Sequence, residues 1–342
     1  MKYFTNIHKN KTYNFIIRLG IIAATYYFIY SQIFHKKKLE YVVDSFLELI
    51  DQPFLYFFIV WISMLMIVNW GIEALKWQFL IGKIEKISFF KAFEAIFAGI
   101  SVSIFTPNRI GEWFGRVFIL KSGNPWKGVF ITMVGSLSQL LITIIVGATS
   151  LLFYMPIYFG RTNLFSDYDY LYYGFIFLVV VIIAALILLF LNVTALPGFV
   201  SRLLKRKLVH FNDYFSVIST FSTFELSTVL ILSFLRYCVF ALQFYLLLMM
   251  FSVEIPLLHG LMIISMIFFI MTAIPTITLA ELGIRGSISL YFIGLYFENF
   301  STLTDKINIG IVSASSSLWL VNLAIPALIG TIFVFRLNFF RK

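Results

Sequence analysis

Long stretches of the sequence contain no charged residue at all. Residues 129–155 and 307–335 lack Asp, Glu, Lys and Arg entirely. A helix needs about 20 apolar residues to cross a bilayer. Over the whole chain only 12% of residues are charged and 61% are apolar, against about 25% charged residues in ordinary soluble domains. These stretches predict an all-α integral membrane protein, in which the hydrogen bonds of each helix satisfy its own backbone.

About six stretches are long and apolar enough to span a membrane. The first ends in the basic residues 35–38 without a small-residue cleavage site, so it is expected to be a retained helix rather than a secretory signal. The expected spanning helices cover roughly residues 14–34, 54–75, 129–155, 171–192, 226–251 and 307–335.

Two further apolar stretches are interrupted near their middle. Residues 88–105 are followed by Pro107 and Gly111, after which a short apolar piece continues to residue 120. Residues 257–274 are followed by Pro275 and Gly283, and a short apolar piece resumes at 288–297. Because proline and glycine break helices, each stretch is predicted to form a broken re-entrant hairpin. The predicted helix breaks are Pro107 with Gly111 in the first hairpin and Pro275 with Gly283 in the second.

The same charged motif follows both breaks. Glu112 and Glu281 are 169 residues apart, and so are Arg116 and Arg285. The chain is therefore predicted to be a single transmembrane domain, 1–342, with internal repeats at approximately 54–155 and 226–335. Lysine-rich and arginine-rich segments between the helices (residues 76–91 and 202–207) are expected to face the cytoplasm. This counting places both termini in the cytoplasm and gives the halves opposite orientations, an inverted-topology repeat.

The charged residues at the breaks are predicted to be the functional site. A charge at the centre of a membrane helix costs about 2.5–3.5 kcal/mol, so these side chains should face a protein or aqueous interior and pair with one another. Glu followed by Arg four residues later favours pairs within each motif, whereas the repeat also permits pairs between the two breaks. The predicted transport residues are Arg109, Glu112, Arg116, Arg236, Glu281 and Arg285.

A phosphate group suits such a site. After each break a new helix begins, and its free N–H groups and positive dipole attract anions. Arginine binds phosphate oxygens through two parallel hydrogen bonds. The expected partner is thus a membrane lipid, through its phospholipid head group. Two alternatives stay open from the residues alone: the Glu/Arg pairs could be static salt bridges, and Arg236 could pair with a neighbouring helix or extend to the interface.

Several other functions are disfavoured. With one cysteine and four scattered histidines, the sequence offers no recognisable metal-ligand pattern, so neither a metal nor another cofactor is expected. It contains no Gly-x-x-x-x-Gly-Lys-Ser/Thr phosphate loop. The net charge of +10 lies mostly between apolar stretches, which is typical of topology signals and contacts with anionic lipid rather than of nucleic-acid binding.

Pro107 with Gly111, Glu112 and Arg116, together with the later copy at Pro275, Gly283 and Arg285, resembles the transmembrane flippase-like domain of lysylphosphatidylglycerol synthases. The chain is similar to stand-alone members that lack the synthase domain, so lipid aminoacylation is not expected. The resemblance implies translocation of a phospholipid or a lipid-linked molecule between the leaflets of the bacterial cytoplasmic membrane.

The leading hypothesis is therefore a transporter, not an enzyme, that works by alternating access around a midplane Glu/Arg site. One alternative is a membrane-embedded lipid or polyprenyl-phosphate glycosyltransferase or head-group transferase. Another is a non-transporting accessory membrane protein. A homo-oligomer or a partner lipid-modifying enzyme is compatible with each of these hypotheses.

Overall fold

The structure is a computed structural model. It describes residues 54–104, 106, 109–121, 124–159, 169–195, 198, 214–274, 278–300 and 305–335, besides six isolated positions before residue 54. Of the features predicted above, the first span at 14–34 lies almost entirely outside the described residues. The basic segment 202–207, Pro107 and Pro275 lie outside them as well.

Within the described residues the chain is helical and contains no strand. The helices of the first half are α1 Leu55–Ile81, α2 Phe89–Ser103, α3 Gly111–Val117, α4 Pro125–Phe159 and α5 Asp169–Leu191. The later helices are α6 Thr223–Met250, α7 Leu257–Ala273, α8 Thr278–Phe300, α9 Asp305–Trp319 and α10 Ile325–Val334. A π-helical turn, Leu320–Ala324, joins α9 to α10.

Five of these segments are long and apolar enough to cross a bilayer: Leu55–Ile81, Pro125–Tyr154, Tyr172–Leu191, Thr223–Met250 and Asp305–Val334. They coincide with five of the six predicted spans, and they confirm an all-α membrane protein. The structure also breaks both of the interrupted stretches, between α2 and α3 and between α7 and α8. The total number of spans stays a prediction, because the sixth precedes the described helices.

The second hairpin differs from its prediction. Its second arm was expected as a short piece at 288–297, but α8 has 23 residues and begins at Thr278. Gly283 was predicted at the break, and it lies instead within α8. The prediction failed because Glu281 and Arg285 interrupt the apolar pattern. In the structure these two residues pair with each other at 2.6 Å, which lets the helix start before them.

The helix bounds and the helix packing are similar in the two halves. Shifted by 169 residues, the bounds of α1 and α2 fall within one residue of those of α6 and α7. α2 packs on α10, with Gly330 against the backbone of Phe97, and α7 packs on α4, with Gly147 against Phe269. In each half, the first helix of the hairpin thus packs on a helix of the other half. The inverted orientation of the halves in the membrane stays a prediction.

Candidate functional site

The break between α2 and α3 is held by a short set of local contacts. The hydroxyl of Thr106 donates to the carbonyl of Ser103 at 2.9 Å and accepts from the backbone N–H of Gly111 at 2.9 Å. Arg109 lies between them with φ 55°, in the left-handed region that residues with a side chain seldom adopt. This strained conformation turns the chain sharply, so that α3 runs back along α2.

Two glycines allow α3 to lie directly on α2. A Cβ atom on Gly115 would come within 2.7 Å of the Cα of Gly99. A Cβ atom on Gly99 would in turn meet the Cγ of Arg116 at 2.9 Å. Such distances are shorter than carbon atoms tolerate, so neither position accommodates a larger side chain without moving the helices apart. The glycine contact therefore sets the position of Arg116.

Gly115→Val is expected to lower the free energy of unfolding by about 1–3 kcal/mol, because the added methyl groups overfill the contact between α2 and α3. Thermal unfolding of the purified protein in detergent measures the change. Gly174→Val on α5 is the matched control, since a Cβ there meets nothing within 4 Å. Equal stability of the two variants would show that α2 and α3 do not touch at this point.

Glu73 of α1 is the centre of a buried ionic cluster. Its carboxylate lies 2.8 Å from the ammonium of Lys76, 2.7 Å from Arg116 and 3.1 Å from Arg236 of α6. Arg116 also pairs with Glu112, four residues earlier on α3. Glu73, Lys76 and Arg116 are each at most 5% exposed. The cluster therefore ties α1, α3 and α6 together inside the protein.

Glu281 joins the two helix breaks. Arg109, next to the first break, donates to both carboxylate oxygens of Glu281 at 2.9 and 2.8 Å. Arg285 donates to the same carboxylate at 2.6 Å. The sequence left open whether the motif residues pair within one motif or between the breaks, and the structure contains both kinds of pair. One glutamate thus holds an arginine from each half.

A cavity of about 210 Å³ lies between the two ionic groups. Arg109, Glu281 and Arg285 line it, and so does Arg236, which belongs to the cluster around Glu73. Arg236 lies over the ring of Trp70, with 5.1 Å between the guanidinium carbon and the ring centre. The remaining wall combines amide, hydroxyl, aromatic and aliphatic side chains: Asn69, Gln139, Thr143, Tyr237, Phe240, Phe268, Met271, Thr272, Leu318, Trp319, Asn322 and Leu323.

The structure brings four of the six predicted transport residues to this cavity. The other two, Glu112 and Arg116, are connected to it through Glu73, which also contacts Arg236. Of the predicted breaks, Gly111 is the first residue of α3. A Cβ atom there would lie 2.6 Å from the carbonyl oxygen of Val102, so the tight turn requires glycine.

Sequence reasoning missed Glu73 and misplaced Lys76. Lys76 had been counted among the cytoplasmic basic residues, whereas it is 1% exposed within α1 and bonds to Glu73. The sequence held a signal: Asn69, Glu73 and Lys76 recur at i, i+4 and i+7 in an otherwise apolar stretch, which places them on one helix face. That face points towards α6 and the cavity, where the amide of Asn69 donates to Asn322 at 3.3 Å.

Comparison with known proteins places the chain in a family. The family model described as the Lysylphosphatidylglycerol synthase TM region matches residues 15–300, which include both helix breaks and all six predicted transport residues. The chain belongs to this family. Membership in the lysylphosphatidylglycerol synthase transmembrane family, together with the spanning helices, makes it a multi-pass membrane protein. Neither the curated proteins nor the solved structures that were searched gave a match.

Proposed function

We propose that this protein moves a phospholipid, or a lipid-linked molecule, across the bacterial cytoplasmic membrane by alternating access, with no enzymatic step. The observation that carries the proposal is the meeting of charged residues from both helix breaks at one cavity. Arg109 from the first break and Arg285 after the second are held by the same carboxylate, that of Glu281. Transporters built from inverted repeats bind their substrate at the interface of the repeats, beside broken helices.

The ionic groups suit a site that opens and closes. Static pairs within one hairpin would serve to stabilise that hairpin alone, whereas Arg109 and Glu281 connect residues 172 positions apart in sequence. A head-group phosphate that binds Arg109 competes with Glu281 for the same donors, so ligand binding weakens the contact between the breaks. A transport cycle requires that the ligand bind with different free energies to the arrangement with the breaks in contact and to the arrangement with the breaks separated.

The size of the cavity also suits a head group rather than a whole lipid. Its volume of about 210 Å³ is below the roughly 300–1,000 Å³ of pockets that enclose drug-sized ligands. In the proposed cycle the head group crosses through the cavity while the acyl chains stay in the bilayer. Both termini lie in the cytoplasm in this arrangement, as the distribution of basic segments predicts.

Exchange of head-group-labelled lipid in proteoliposomes tests the proposal. Wild-type protein is expected to accelerate exchange of one lipid class, and Glu112→Gln, Arg116→Gln, Glu281→Gln and Arg285→Gln are each expected to slow it at least about tenfold. A hydrogen bond to a charged group contributes about 1.5–3 kcal/mol, and about 1.4 kcal/mol corresponds to a factor of ten in rate.

Glu254→Gln and Lys306→Gln serve as controls, because both side chains are exposed and lie outside the cavity. Folding of every variant is checked by its elution and thermal unfolding in detergent. Exchange at the wild-type rate in folded variants of the four motif residues would make the ion pairs purely structural. Formation of a new lipid product by the purified protein would instead support a head-group or glycosyl transferase. Exchange that requires an added enzyme would support an accessory role.

A further inference from the structure

The cavity carries more positive than negative charge. Three arginines line it, Arg109, Arg236 and Arg285, against the single carboxylate of Glu281 among the described lining residues. The charged residues behind this wall balance one another: Lys76 and Arg116 against Glu73 and Glu112. Next to the two breaks, the structure does not describe the side chains at 105, 107–108 and 275–280. None of these residues is charged. The positive charges at the cavity thus exceed the negative charges by two.

The carboxylate of Glu281 is also already engaged. Arg109 donates to both of its oxygens, and Arg285 donates to one of them. A cationic ammonium group in the cavity would have to displace a guanidinium from this carboxylate, and it would add to the excess of positive charge. A zwitterionic head group would leave that excess unchanged. Only a ligand with net negative charge reduces it.

Several buried donors of the lining residues lack an acceptor. The indole Nε1 atoms of Trp70 and Trp319, and the Nε and Nη1 atoms of Arg285, have no hydrogen-bond partner among the described residues. These residues are 3%, 1% and 8% exposed, and all three line the cavity. Buried polar groups in native proteins nearly always have partners. The unpaired buried atoms of the lining residues are mostly donors, with the Oδ1 atom of Asn69 as an unpaired acceptor, which favours a ligand richer in acceptors than in donors.

We propose that the cavity binds the phosphate of a lipid whose head group carries net negative charge. Arg236 and Arg285 supply charge, and the indole N–H groups of Trp70 and Trp319 supply neutral donors for the phosphate oxygens. This inference rests on the proposed function, since it names the substrate class of the transport site. A phosphodiester whose alcohol carries no amine has the required charge, and its non-bridging oxygens accept hydrogen bonds from several donors at once.

Isothermal titration calorimetry in a non-ionic detergent tests the inference without any transport. The probes are dihexanoyl phosphatidylglycerol, dihexanoyl phosphatidylcholine and glycerol 3-phosphate, at one fixed salt concentration. The anionic lipid is expected to bind at least about tenfold more tightly than the zwitterionic lipid, because both carry the same phosphodiester but choline adds a positive charge close to the arginines of the cavity. Glycerol 3-phosphate is expected to bind more weakly than the anionic lipid, because it has no acyl chains to anchor it in the detergent micelle around the protein.

Tryptophan substitutions distinguish binding in the cavity from non-specific attraction of an anionic lipid to a basic surface. Trp319→Phe and Trp70→Phe remove an indole N–H and leave the net charge unchanged, and each is expected to weaken binding of the anionic lipid about fivefold to tenfold. Trp61→Phe is the matched control, since Trp61 on α1 is 44% exposed and lies outside the cavity. If one tryptophan variant fails to fold, the other variant and the comparison of lipids still decide the question.

Equal affinity for the anionic and zwitterionic lipids would overturn the inference, as would unchanged affinity in both tryptophan variants. Glycerol 3-phosphate binding as tightly as the anionic lipid would also overturn it, because the ligand would then be a soluble phosphate. The two proposals fail separately. Selective binding without exchange in proteoliposomes would contradict lipid translocation alone, and exchange without charge selectivity in binding would contradict only the present inference.

Discussion

Glu73→Gln is expected to lower the free energy of unfolding by about 3–5 kcal/mol, the range seen when one member of a buried ion pair is removed. Glu73 is 4% exposed and lies within 3.1 Å of each of three cations. Glutamine keeps the shape of the side chain but loses the charge, so Lys76, Arg116 and Arg236 would repel one another without a central anion. Reversible unfolding in mixed detergent micelles measures the loss.

Glu225→Gln is the matched control, because Glu225 forms a salt bridge with Lys83 at 2.7 Å while remaining about a quarter exposed. Exposed pairs contribute about 0–1 kcal/mol, so this variant should stay close to wild type. Adding Lys76→Met to Glu73→Gln should recover part of the lost stability, since it removes one of the unbalanced cations. Equal stability of Glu73→Gln and Glu225→Gln would show that the cluster around Glu73 is hydrated or already unpaired.

Glu281→Gln is expected to destabilise the protein by a similar amount, about 3–5 kcal/mol, and to separate the two helix breaks. Its carboxylate accepts from Arg109 at both oxygens and from Arg285 at Oε1. Without it, two like charges lie next to each other at a cavity that already carries excess positive charge. Unfolding in mixed micelles again gives the free energy. The accessibility of a cysteine introduced beside the first break reports the separation, in a Cys238→Ser background because Cys238 is exposed.

A double-mutant cycle identifies the contact between the breaks. Because Arg109→Gln removes one of the two cations that Glu281→Gln leaves unpaired, the double variant should be less destabilised than the sum of the single variants by at least about 1 kcal/mol. Arg285 remains in both backgrounds and acts as an internal reference. Additive effects within about 0.5 kcal/mol would mean that Arg109 and Glu281 do not interact.

The spanning helices could be predicted from the sequence because a helix that crosses the bilayer needs about 20 apolar residues. Stretches such as 226–251 are long, uninterrupted by proline and almost free of charge, and the corresponding helix α6 has bounds within a few residues of those predicted. Regular helices are the element that sequence patterns indicate most directly, since length and hydropathy suffice. Four of the six charged residues that the sequence singled out line the cavity, and their role in transport stays a prediction.

The partners within the site could not be predicted in the same way. Glu73 contacts Arg116 and Arg236, which are 43 and 163 positions away in sequence, and its pairing depends on how three helices pack. Trp70 and Trp319 read as ordinary apolar residues of spanning helices. Their unpaired N–H groups become evident only when the helices enclose a cavity around them. Long-range packing decides such contacts, and hydropathy carries no information about it.

The second helices of the two hairpins differ in length, so the same rotation moves their far ends by different distances. α3 has 7 residues and α8 has 23, which at 1.5 Å per residue makes them about 10 Å and about 35 Å long. For the same rotation about its own break, the far end of α8 sweeps an arc about three times as long as that of α3. In the proposed transport cycle, movement of α8 would therefore displace more of its surroundings than the same rotation of α3, so the bilayer would resist the two half-cycles unequally.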